Sequence, residues 1–73
     1  MKWASLSEIE RALAEGGTMT LAELTARLYP DISPGYIGTA RADTSAKLYL
    51  LRKSGRAAST PIGSHRNEWR ATA

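Results

Sequence analysis

The chain has 73 residues, ten basic and seven acidic side chains, a net charge of +3, one histidine and no cysteine. That length holds one small domain, residues 1–73, with a core a single layer deep, and the missing cysteines exclude disulfides and thiolate metal sites. His65 alone builds no zinc site, no paired acidic cluster points to calcium, and no apolar run nears the roughly 20 residues of a membrane span.

The first predicted element starts at Ser5. Ser5 and Glu8 are spaced as an S-x-x-E capping box, in which hydroxyl and carboxylate each satisfy an orphan backbone N–H. Leu6, Ile9, Ala12 and Leu13 then recur at helical period, and Gly16-Gly17 supplies a residue type that caps a helix without steric cost. A helix over residues 6–15 is predicted. Thr18-Met19 can form a short extended piece. Thr20 and Glu23 repeat the capping box, and Leu21, Leu24 and Leu28 supply the buried face of a second helix over residues 20–29, stopped by Pro30.

Ser33-Pro34 reads as a cap followed by proline at the first helical position. From there a third helix, residues 34–54, keeps Ile37, Ala40, Thr44, Leu48 and Leu51 on one side, and Gly55 ends it. Gly35 and Gly38 each cost that helix about 1 kcal/mol relative to alanine, so its first turns are expected to fray or bend. The tail, residues 56–72, reads as a β-hairpin: Arg56–Thr60 can extend, Pro61–Asn67 is rich in turn formers, and Glu68–Thr72 alternates polar and apolar around Trp69. Trp69 is expected in the core over helices 1 and 3, with Trp3 against the same cluster and Tyr49 as a half-exposed packing residue.

Charge divides along the chain. Residues 1–37 carry three basic against five acidic side chains, and residues 38–73 carry seven basic against two acidic. A basic half that coincides with a helix and a hairpin is the footprint of a nucleic-acid surface. At 3.6 residues per turn, Arg41, Ser45 and Arg52 share one flank of helix 3, and Tyr36, Asp43 and Lys47 share the other. Between the flanks runs a ridge of small side chains, Gly35, Thr39, Ala42 and Ala46, which lets a groove wall or a partner helix approach closely.

The order helix, helix, longer helix, hairpin resembles the winged-helix branch of the helix-turn-helix family. The resembling residues are Thr20-Leu21-Ala22-Glu23-Leu24 opening helix 2, Leu48-x-x-Leu51-x-x-x-Gly55 closing helix 3, and the hairpin from Arg56 to Thr72 with Trp69 in its second strand. The likeness covers residues 5–72. It departs from the family between Leu28 and Thr44, which exceeds the usual tight turn. The resemblance implies a mainly α fold with a small hairpin (α+β): three helices followed by a two-stranded wing. It further implies a DNA-binding protein with helix 3 in the major groove and the wing on the backbone.

On that reading Thr39, Arg41, Ser45 and Lys47 contact bases, and Tyr36 contacts phosphate or sugar. Arg52, Lys53 and Arg56, at the C-terminus of helix 3, contact phosphates, although the helix dipole favours cations there whatever the function. Ser64, His65, Arg66 and Asn67 form the wing tip on the backbone or minor groove.

The partner expected is double-stranded DNA, bound by a small bacterial or phage transcriptional regulator or DNA-transaction accessory factor. The limited contact area favours a homodimer or neighbouring copies. The alternative is a protein-interaction module docking through Thr39, Ala42 and Ala46. No Walker-type loop or nucleophile elbow occurs, so no enzyme and no cofactor are expected. Met1-Lys2-Trp3-Ala4-Ser5 lacks the apolar stretch of a signal peptide, so a cytoplasmic address is expected, near the nucleoid if the chain binds DNA.

Overall fold

Local capping starts both short helices. A computed structural model describes residues 2–64 and 66–72. In α1 (Leu6–Gly16) the Ser5 hydroxyl accepts from the Glu8 amide and the Glu8 carboxylate accepts from the Ser5 amide. In α2 (Leu21–Leu28) Thr20 and Glu23 make the same reciprocal pair. The end of α1 is set by Gly17, whose φ of 75° disfavours any residue with a Cβ. Thr20 caps α2 from outside and Tyr29 ends it, so the second helix is one residue shorter at each end than its expected span.

The third helix departs from expectation at its start. Pro34–Tyr36 forms a single 3-10 turn, and α3 proper runs Ile37–Lys53, continuous through Gly38. Proline suits the first position of that turn, and the following glycine tolerates the tighter winding. At the other end Gly55, with φ 79°, makes a two-bond cap: its amide donates to the Arg52 carbonyl, and the Arg56 amide donates to that of Leu51. That reversal sends the chain directly into β2 (Ala57–Gly63) and β3 (Arg66–Ala71).

The β structure corrects the expected two-stranded wing. Met19–Thr20 forms a third strand, β1, which pairs antiparallel with β3, Met19 opposite Trp69 and Thr20 opposite Glu68. The strand order is β1-β3-β2, so β3 is central and β2 has a free outer edge. Near the tip the register slips between Pro61 and Gly63. The chain is thus a small α+β domain of three helices and a three-stranded antiparallel sheet.

Helices and sheet bury one shared core. Ile9 and Leu13 of α1, Leu24 of α2, Leu48 and Leu51 of α3 and Trp69 of β3 are all at most 3% exposed. Burying each such side chain stabilises the fold by about 1.5–3 kcal/mol. Of the expected helical stripes, Leu6 is 40% exposed and Leu21, Leu28 and Ile37 are half-buried; the rest are buried. Trp69 is in the core as expected and meets the half-exposed Tyr49 edge-to-face, ring centres 5.5 Å apart. Trp3 packs on the rim of the same core through Tyr29, 5.7 Å away and also edge-to-face. The Tyr29 hydroxyl accepts from the Ala4 amide at 2.7 Å, fastening the N-terminal segment to the end of α2.

Candidate nucleic-acid interface

The basic side chains of the C-terminal half do not share one fate. α3 lies with Ala40, Thr44, Leu48 and Leu51 in the core, so its two flanks face different neighbours. On one flank Lys47 meets Asp43 at 2.9 Å and donates to the Ala4 carbonyl at 2.8 Å. Its ammonium fastens the N-terminal segment to α3 and is turned away from the other flank.

Arg41 and Ser45, on that other flank, line a cleft of about 280 Å³. The same cleft is lined by the first turn of α2 (Leu21, Ala22), with Thr20 before it, by the start of β3 (Arg66, Asn67), and by Tyr49 and Trp69. Arg41 also borders a second, more apolar cleft of about 230 Å³ beside Tyr29, Ile32 and Ile37. Among the described residues neither Arg41 nor Arg66 has a carboxylate within ion-pair distance. The Arg66 charge does act on Glu23, which is held below the ordinary carboxylate range first by the Thr20 amide, then by the Thr20 hydroxyl, with Arg66 adding a smaller part.

The remaining predicted contacts scatter. The Arg52 guanidinium lies 4.5 Å from the Tyr49 ring centre and 5.4 Å from that of Trp69, and donates to the Ser59 hydroxyl. It braces α3 against β2. Arg56 turns toward Glu10 of α1 at 3.7 Å, and Lys53 is exposed at the end of α3. Tyr36 and Thr39 are exposed at the N-terminal end of α3, outside the cleft. Ser64 is exposed in the hairpin turn, and His65 lies outside the described residues. Arg41, Ser45, Arg66 and Asn67 are therefore the members of the predicted set that the fold brings together.

One contributor went unrecognised in the sequence: Thr20, Leu21 and Ala22 line the cleft, and the capping box at Thr20 marks only that a helix starts there. Arg70, which does not line the cleft, donates to the Thr60 hydroxyl across the hairpin. Among the described residues no group of three or more histidine or acidic side chains could hold a metal ion, and no helix is long and apolar enough to cross a membrane. No family model, no curated protein and no solved structure matches this chain.

Proposed function

We propose that the chain is a winged-helix domain that binds double-stranded DNA, with the exposed face of α3 toward the major groove and the β2–β3 turn on the flanking backbone. The order helix, strand, helix, helix, strand, strand, with β3 between β1 and β2, supports the winged-helix part. One observation carries the DNA part: Arg41 of α3 and Arg66 of β3 line a single open cleft with no carboxylate paired to either among the described residues. Lys47 and Arg52, by contrast, are tied into the fold by hydrogen bonds to Ala4 and Ser59. A small domain of this kind acts by occupying DNA, as a regulator or an accessory factor.

Binding to a generic duplex of about 30 base pairs at two salt concentrations tests the proposal, because affinity through several phosphates falls steeply as salt rises. Salt-sensitive binding, with NMR shifts on α3, the α2 start and the hairpin turn, supports it; no binding at low salt overturns it.

A second reading, docking on a protein, is favoured by one observation. Leu50 of α3 and Tyr36 of the turn before it are each 56% exposed. A protein contact of that kind would be almost indifferent to salt.

A further inference from the structure

We propose that the cleft between α2, α3 and β3 seats a single phosphate group between Arg41 and Arg66, so that Arg41 anchors the backbone instead of reading bases. The inference rests on the DNA-binding reading and names what one part of that surface holds.

Two arginines from distant parts of the chain, Arg41 and Arg66, line one cleft. Like charges brought together repel, and the cost falls when an anion sits between them. A phosphate oxygen pair matches the planar fork of arginine, and two forks can share one phosphate. The first turn of α2 adds the positive end of a helix behind them, through Leu21 and Ala22. The capping box takes up the amides of Thr20 and Glu23 only. Glu23 keeps its negative charge at this end of α2, with Oε1 accepting from the Thr20 amide and Arg66 near enough to act on it, so an anion in the cleft is held by the two arginines against that charge. Ser45 and Asn67 line the rest with neutral groups able to donate.

The cleft, of about 280 Å³ and open on one side, has room for a phosphodiester or a free phosphate. The consequence is specificity. With Arg41 held at the backbone, the front of α3 offers Thr39, Ala42 and Ala46, none long enough for the two-point base contacts that discriminate sequences. The chain then reads sequence weakly.

Two measurements test this. Inorganic phosphate is titrated into the labelled protein, following the arginine Nε–H and backbone amide signals. Duplexes of unrelated sequence are then bound by Arg41→Gln, Arg66→Gln and the double variant, over a range of salt. The seat predicts that phosphate shifts Arg41, Arg66, Leu21 and Ala22 together. It predicts that each single variant loses on the order of tenfold on every duplex alike, and that the double variant loses less than the two combined. The salt slope of the double variant becomes shallower by about one unit, for one phosphate, where two separate phosphates would give about two.

A change of sequence ranking with Arg41→Gln, or independent losses with the larger slope change, overturns the seat and leaves DNA binding standing. Should the unsubstituted chain not bind duplex at all, the DNA reading falls and the phosphate titration decides alone. Shifts on those four residues then keep the seat for a free phosphomonoester, and their absence overturns it.

Discussion

On one flank of α3 the Lys47 ammonium is closed between Asp43 and the Ala4 carbonyl; on the other, Arg41 faces an open cleft shared with Arg66. Both side chains are long cations on the same helix, and a helical wheel treats them alike. Their surroundings do not. Lys47 has a carboxylate one turn away and a backbone carbonyl delivered by the N-terminal segment, which Tyr29 and Trp3 hold in place. Arg41 shares its cleft with a second arginine and with the start of a helix. Availability for a ligand is set by what a charge has already paired with.

The most severe way to break this contrast is to remove what both flanks stand on. Leu48 is fully buried between them, and Leu48→Ala is expected to cost about 2–5 kcal/mol. In a domain this small that unfolds a large fraction, read as a collapse of the urea midpoint; an unchanged midpoint would refute the packing of α3.

A milder change separates the flanks. Lys47→Met keeps the aliphatic stem and removes the bond to Ala4, and is expected to lower stability by about 1 kcal/mol, the figure being discounted for the quarter of that side chain still in water. Duplex affinity is expected to hold once measured on folded protein. Arg41→Met should do the reverse, leaving the midpoint within about 0.5 kcal/mol while binding weakens. Equal effects of the two on binding would erase the distinction.

The core strip between the flanks offers a gain. The Thr44 hydroxyl is fully buried and has no hydrogen-bond partner among the described residues. Thr44→Val removes an unsatisfied polar group at nearly constant volume, and about 1 kcal/mol of added stability is expected in denaturant melts.

The smallest effects are electrostatic and belong to the caps. Glu8 and Glu23 are both held below their ordinary value near 4.5, first by the amides of Ser5 and Thr20 and then by those residues' hydroxyls. A carboxyl with a lowered folded pKa contributes stability that is fully present above its unfolded value and is lost as pH falls through the folded one. Stability should therefore decline below about pH 4.5, and Glu8→Gln or Glu23→Gln should flatten that decline. Arg66→Gln should raise the Glu23 titration seen by NMR and leave that of Glu8 unchanged, since Arg66 acts on Glu23 alone.

Much of the helical fold was legible because its signals are local. Ser5 with Glu8 and Thr20 with Glu23 mark helix starts within four residues, and Gly17 and Gly55 mark ends by the conformations they allow. β1 was legible only as a short extended piece at Thr18-Met19; that Met19–Thr20 is a strand of the sheet depends on pairing with Trp69 and Glu68 near the other end of the chain. The same distance effect hid the fate of the cations. Nothing near Lys47 in sequence announces the Ala4 carbonyl, and nothing near Arg52 announces that the Trp69 ring and Ser59 hydroxyl will take it. Arg41 and Ser45 were legible as one flank; that Arg66 and Asn67 line the same cleft depends on how the sheet packs.

Thr20 pairs with Glu68, caps α2 and borders the cleft at once. The cleft therefore has no local precursor: its walls come from the beginning, middle and end of the chain and exist only when the sheet is closed. No partly folded form that has lost the β1–β3 pairing retains it. Occupancy is in consequence linked to the global folding equilibrium, and whatever fills the cleft raises the unfolding midpoint of the whole domain in proportion to the logarithm of its concentration.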